Sequence, residues 1–248
     1  MLARAACPRG REELSCCMQG LYAIVDTDTL TKRGIEVVPF AEAVLEARPV
    51  ALQLRDKKGD AGRTLSLLRA LAPLCARAGV PLFANDRPDL ALLAGCTGVH
   101  LGQLDLPASA ARALALAPGA VDPPRTHGLL IGLSTNSLAE LDAALAQRPE
   151  YVAIGPVFPT ISKERPDPAV GLEVFGALAS HARRVSPGVP VVGIGGITLE
   201  TAGSIGALAD AAAVISALVP EQGEGKALLD GVRARARALS AAILGGQA

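Results

Sequence analysis

From Leu21 onward the chain alternates: short apolar runs rich in strand formers are each followed by a longer Ala- and Leu-rich stretch with helical spacing of its apolar positions. That alternation is the signature of successive βα units. Eight runs qualify as strands, beginning near Leu21 (LYAIVD), Val50 (VALQLR), Pro81 (PLFAND), Gly98 (GVHLG), Leu129 (LLIGLS), Tyr151 (YVAIGP), Val189 (VPVVGIGG) and Ala211 (AAAVIS). Helical patterns cover 38–47, 61–78, 108–117, 137–147, 172–183 and 199–208, and a last one over 226–244 closes the chain. Strands apolar throughout need cover on both faces. A single-domain α/β fold of the (β/α)8 barrel type supplies that cover, and so does an open doubly wound sheet; periodicity leaves the two open.

The 248 residues, half of them apolar, match the size of one eight-unit barrel. Lys and Arg total 24 and so do Asp and Glu, with no long run of one sign, which disfavours wrapping nucleic acid or an anionic membrane surface. Four Phe, two Tyr and no Trp leave few platforms for stacking bases. Any phosphate held here is expected to belong to a small molecule. The first twenty residues carry Arg4, Arg9 and Arg11 but no apolar run long enough for a secretory signal, and no apolar stretch reaches membrane-spanning length. A soluble cytoplasmic protein is expected, with residues 1–20 a disordered extension, 21–248 the catalytic barrel, and a homo-oligomer possible. Cys7, Cys16 and Cys17 lie in that extension, Cys75 and Cys96 in apolar surroundings, and their spacing matches no zinc pattern.

Two segments break the rhythm. Residues 118–128 read as a surface loop that includes His127; residues 159–171 form a long connection after the sixth strand, on the face where a barrel keeps its catalytic loops, and could act as a lid.

The polar residues of interest gather at strand ends. Gln53, Arg55 and Lys57 share one side of an extended chain by the period-two rule, offering an amide and two cations to an anion, although a charged strand end is often only solvated. Asn85 and Asp86 end the third strand, and Gln103 and Asp105 follow the fourth. Carboxylates on neighbouring strand ends can share one Mg2+; each also precedes a proline at a helix start and could serve as a cap. Ser134 ends the fifth strand, either to orient a polar substrate or to cap the next helix, and no His–Asp pattern marks it as a triad nucleophile. Thr160, Ser162 and Lys163 supply two hydroxyls and a cation suited to phosphate. Glycines at 193, 195 and 196 and the Ile215-Ser216 pair follow the seventh and eighth strands, where this fold recurrently binds phosphate. His100, inside a strand, and His181, inside a helix, read as structural.

In order along the chain, QLRDK (53–57), NDRPDLAL (85–92), GVHLGQLDLP (98–107), IGLST (131–135), GPVFPTISK (155–163), VVGIGGI (191–197) and VIS (214–216) resemble the thiamine-phosphate synthase family from about Leu21 to the last helix. The resemblance implies a closed (β/α)8 barrel and a Mg2+-dependent transferase that joins hydroxymethylpyrimidine diphosphate to thiazole phosphate. It implies that Gln53, Leu54, Arg55, Asp56, Lys57, Asn85, Ser134 and Lys163 meet the pyrimidine diphosphate, with Arg55, Lys57, Ser134 and Lys163 catalytic. It further implies that Asp86 and Asp105 hold the metal, and that Thr160, Ile161, Ser162, Gly196, Ile215 and Ser216 hold the thiazole phosphate. Three departures from the family pattern stand out: Ser162 for a threonine, Asn136 for a histidine, and Cys96-Thr97 for Ala-Asp. A thiazole tautomerase-like paralogue and a non-catalytic phosphate-binding regulator are the rival readings; Arg55, Lys57, Asp86 and Asp105 together argue against the first, and Asp86, Asp105 and Lys163 against the second.

Overall fold

The computed structural model describes residues 18–117, 128–160 and 167–247. Among them are β1 (Gly20–Asp26), β2 (Ala51–Arg55), β3 (Leu82–Asn85), β4 (Gly98–Leu101), β5 (Leu130–Thr135), β6 (Tyr151–Ile154), β7 (Val191–Ile194) and β8 (Ala211–Val214). They pair in chain order, all parallel, and β8 returns to β1 with Gly20 opposite Ala211. Closure excludes the open sheet, which would leave β1 and β8 as unpaired edges. The eight expected strands are all present.

The helices are α1 (Thr27–Lys32), α2 (Val37–Leu45), α3 (Ala61–Ala78), α4 (Pro88–Leu93), α5 (Ala108–Leu116), α6 (Leu138–Ala146), α7 (Gly171–Val185), α8 (Leu199–Gly206) and α9 (Gly225–Gly246). Local chemistry fixes their ends. Asp60 caps α3 by accepting from the Arg63 amide, and Gly79 closes it in the left-handed conformation at φ 67°. The short α1 has too few residues for a periodic signal; Asp26 starts it by accepting from the Thr29 amide at 2.8 Å. No helix among the described residues is long and apolar enough to cross a membrane.

Successive side chains of a strand point to opposite faces, so each strand feeds two cores. Leu21, Ala23 and Val25 of β1, Leu52 and Leu54 of β2, and Val152 and Ile154 of β6 face the helix layer and join its larger cluster. Tyr22, Ile24, Ala51, Phe83, Tyr151, Ala153, Val192 and Ala213 face inward and fill the barrel with a smaller one. Met18, fully buried, belongs to that inner cluster, so the ordered barrel begins before β1; residues 1–17 lie outside the described residues.

Candidate active site

The inner cluster stops short of the strands' C-terminal ends, and above it a cavity of about 400 Å3 opens. Parity populates its wall. Counting by twos from the inward Ala51 leads to Gln53, Arg55 and Lys57, all of which line the cavity. The same count sends Leu54 and Asp56 outward: Leu54 is buried against the helix layer, and Asp56 accepts from Thr27 Oγ1 at 2.6 Å and Thr64 Oγ1 at 2.9 Å. Neither of those two side chains reaches the cavity, although both belong to the segment that the family resemblance assigns to ligand binding.

Asp86 and Asp105 converge on one wall. Asp86 takes φ 64°, a left-handed conformation that Asp tolerates better than most residues, and two backbone hydrogen bonds hold it there, Asp86 N–H to His100 O and Arg87 N–H to Asn85 O, each 2.8 Å. Backbone strain of this kind, in a residue aimed at a cavity, is a recurrent mark of functional sites. Asp105 Oδ2 accepts from the Gly102 amide at 2.7 Å. Partial burial lifts the Asp105 carboxyl above the usual carboxylate range; the Gly102 amide and Lys57 oppose the rise, whereas the facing Asp86 carboxyl adds to it by hydrogen bonding and by charge. Lys57 Nζ donates to Asp86 Oδ2. Neither aspartate caps a helix, since α4 starts from Arg87 and α5 from Pro107 without a side-chain cap. Two mutually repelling carboxyls beside a polar cavity are a donor pair that fits a hard divalent cation. No three His, Cys, Asp or Glu side chains cluster at metal-binding spacing among the described residues, so such an ion would complete its shell with water and ligand oxygens.

Arg55 is held from behind. Its guanidinium donates to Asp26 Oδ2, while Asp26 Oδ1 accepts from Thr29 N–H and Thr29 Oγ1 at 2.8 and 2.7 Å. Asp26 is buried, and no local sequence pattern marks it as part of the site.

The cavity floor is a polar network that the sequence reading did not foresee. Gln53 Nε2 donates to Asn85 Oδ1 at 2.7 Å, and Tyr22 Oη donates to Gln53 Oε1 at 2.8 Å. Tyr22 Oη and Tyr151 Oη are 2.8 Å apart, Tyr151 Oη meets His100 Nδ1 at 2.8 Å, and His100 Nε2 meets Ser134 Oγ at 2.7 Å. His100 therefore lies in the site wall, a correction to its reading as a structural residue. The cause is register: His100 of β4, Gly132 of β5 and Tyr151 of β6 are successive partners across the sheet, and the missing side chain at Gly132 lets the Tyr151 ring reach His100. The serine–histidine pair has a phenol, not the carboxylate of a catalytic triad, behind it. Nor is Ser134 a helix cap; Ser137 fills that role for α6. His181 is a surface residue that pairs with Asp142 at 2.6 Å.

Near the expected phosphate site, Thr160, Gly195 and Ile215 line the cavity, whereas Gly196 and Ser216 lie beside that lining. Gly196, at φ 64°, packs so tightly that a Cβ would fall 2.4 Å from the Pro159 carbonyl, which brings the loops after β6 and β7 together. Ile161, Ser162 and Lys163, within residues 161–166 of the 159–171 segment, and all of the 118–128 loop but Gly128, His127 included, lie outside the described residues. Of the departures from the family pattern, Asn136 lines the cavity and its backbone N–H donates to Glu140 Oε2 at 2.9 Å; Cys96 is buried away from it.

Residues 21–218 match the family described as thiamine monophosphate synthase. The chain is similar to the thiamine-phosphate synthase of Methanospirillum hungatei, at 37% identity over 201 residues covering 81% of this chain and 89% of that protein. It is 41% identical over 201 residues to the thiamine-phosphate synthase of Anaeromyxobacter dehalogenans, covering 81% and 80% of the two chains. Its fold superimposes on the thiamine phosphate pyrophosphorylase from Pyrococcus furiosus with a TM-score of 0.70 at 27% identity, covering 92% of this chain and 98% of that one.

Proposed function

The chain belongs to the thiamine monophosphate synthase family of transferases, and from that premise we propose that its cavity joins hydroxymethylpyrimidine diphosphate to thiazole phosphate, releasing diphosphate. The observation that carries this reading is the meeting of Asp86 and Asp105 beside Lys57, with Arg55 on the same cavity wall and the Gln53–Asn85 and His100–Ser134 pairs at its floor. A monophosphate ligand alone calls for no paired carboxyls; a diphosphate that must depart with its charge neutralised does.

In this scheme the pyrimidine rests on the floor, where Asn85 and Ser134 orient its polar edge. Arg55, Lys57 and Lys163 receive the diphosphate. Asp86 and Asp105 would hold Mg2+, which supplies Lewis-acid neutralisation of the leaving group. The bond from the pyrimidine methylene to the diphosphate oxygen breaks with its electron pair going to the diphosphate. The thiazole ring nitrogen then donates its lone pair to the methylene carbon. No protein nucleophile is needed, and the work of this chain's residues is orientation, charge neutralisation and exclusion of water. Thr160, Ile161, Ser162, Gly196, Ile215 and Ser216 hold the thiazole phosphate. We place the reaction in the cytoplasm.

The test uses purified protein with Mg2+ and both substrates, and thiamine phosphate with diphosphate is the expected product. Asp86→Asn is the informative variant, because Asn accepts the left-handed backbone that Ala resists. Mg2+ alone is expected to raise the Tm of the parent protein, and this variant should abolish both that rise and turnover. Isomerisation of thiazole phosphate without any coupled product would replace this reading with the tautomerase one. Phosphate binding without turnover of any kind would favour the regulator.

A further inference from the structure

We propose that Tyr22, Tyr151 and His100 form a one-way hydrogen-bond relay that holds His100 as its Nδ1–H tautomer and makes Ser134 an acceptor, not a donor, toward the ligand. The direction follows from counting hydrogens. Gln53 Nε2 donates to Asn85 Oδ1 at 2.7 Å, which leaves Gln53 Oε1 to accept the Tyr22 hydroxyl at 2.8 Å. A phenol has one hydrogen, and burial pushes both Tyr22 and Tyr151 far above the ordinary phenol range, so each keeps it. With its hydrogen given to Gln53, Tyr22 can only accept at its 2.8 Å contact with Tyr151. Tyr151, having donated there, can only accept from His100 Nδ1, also at 2.8 Å. A neutral imidazole with its hydrogen on Nδ1 presents a lone pair on Nε2, and Ser134 Oγ, 2.7 Å away, must fill it with its own hydrogen.

The two ends of the relay open on the cavity and are locked together. Asn85, its Oδ1 occupied by Gln53, turns amide hydrogens outward; Ser134, its hydrogen spent on His100, turns lone pairs outward. Reversing any one link reverses them all and swaps the two ends. The floor thus asks for a ligand edge that accepts on the Asn85 side and donates on the Ser134 side. This last step rests on the function proposed above: an aminopyrimidine offers a ring nitrogen and an exocyclic amine in that relation, and its oxo analogue, with a carbonyl in place of the amine, would set acceptor against acceptor. Tyr22, Tyr151 and His100 are positioning residues; the first two act from beneath the floor, through Ser134 and Asn85.

The chain has three histidines, and the full-length protein carrying His127→Gln and His181→Gln keeps His100 as the sole one. With 15N-labelled histidine, its long-range 1H–15N spectrum reads the tautomer directly, with no ligand and no turnover required. The Nδ1–H pattern is expected; an Nε2–H pattern or a doubly protonated ring overturns the proposal. Tyr151→Phe removes the acceptor for Nδ1–H, so the ring should become a mixture of tautomers. In the same variant kcat/KM for the aminopyrimidine substrate should fall about tenfold, the usual scale for one lost orienting hydrogen bond, with KM for thiazole phosphate unchanged. A tautomer and a kcat/KM that both ignore this substitution would also overturn it. The spectrum stands apart from catalysis, so failure of the relay and failure of the proposed activity are separable.

Discussion

Substituting Ala at Gly132 tests the packing that makes the barrel floor possible. A Cβ at that position would lie 2.0 Å from Tyr151 Cζ and 2.4 Å from its hydroxyl oxygen. Carbon atoms settle about 3.5–4.0 Å apart, so the ring would have to retreat by roughly 1.5 Å. It has little space to do so: Tyr151 is fully buried, with the Phe83 and Tyr22 rings at centroid distances of 5.5 and 5.7 Å. A retreat of that size breaks its 2.8 Å contacts to Tyr22 and His100. Overpacking costs about 1–3 kcal/mol, and each buried hydrogen-bonding group left unmet costs about 1–3 kcal/mol more. With two such contacts broken, the expected loss for Gly132→Ala is roughly 3–9 kcal/mol, against a total of about 5–15 kcal/mol for a folded domain. In urea, followed by far-UV circular dichroism, the midpoint should fall by about 1–4.5 M for a slope of about 2–3 kcal/mol per M. The decisive control is a double-mutant cycle. In a Tyr151→Ala background the Cβ has room, and Gly132→Ala should cost less than about 1 kcal/mol or even stabilise, because Ala is a better strand residue than Gly. The same loss in both backgrounds would refute the account of Gly132 as the space for the Tyr151 ring.

Asp26→Asn keeps an oxygen for the Thr29 amide but removes the charge that aims Arg55; urea titration should register a loss of about 3 kcal/mol, the low end for a broken buried pair, and steady-state kinetics about a tenfold rise in KM for the pyrimidine diphosphate. An unchanged KM would mean that Arg55 needs no backing. Asp105 gives a pH signature. Its folded pKa is raised, so the native chain holds this proton more tightly than the unfolded one; that contribution is full below about pH 4, near the unfolded value, and is lost as pH rises through the folded pKa. Asp105→Asn cannot ionise and retains the contribution, so without metal it should be more stable than the parent at pH 7, by an advantage that vanishes at low pH, while being inactive. Urea midpoints from pH 3 to pH 7 check this, and a variant less stable than its parent at pH 7 would contradict the repulsion between the two carboxyls.

Much of the site was legible because a strand has a period of two. Once QLRDK is a strand end, Gln53, Arg55 and Lys57 must share a face, and the structure sets all three in the cavity wall while Leu54 and Asp56 turn outward by the same rule. Parity, however, names a face and not the neighbours on it. His100 was visible as a strand residue, but its partners come from β5 and β6, and Tyr22 meets Tyr151 across 129 residues of chain. Likewise the local signal at Asp86 and Asp105 suited helix caps as well as a metal pair, and only the folded backbone excluded the caps, because the two helices start from Arg87 and Pro107 instead.

The order of the apolar runs alone determined the strand count, the helix layer and the two-faced burial of every strand, since these depend on spacing along the chain. The tertiary structure decided closure of β8 on β1, the setting of Arg55 by Asp26, and the chain of hydroxyls, imidazole and amides beneath the cavity. Those features are contacts between strands, and a contact needs two residues to arrive at one place; spacing along one strand carries no information about that arrival until the barrel has closed.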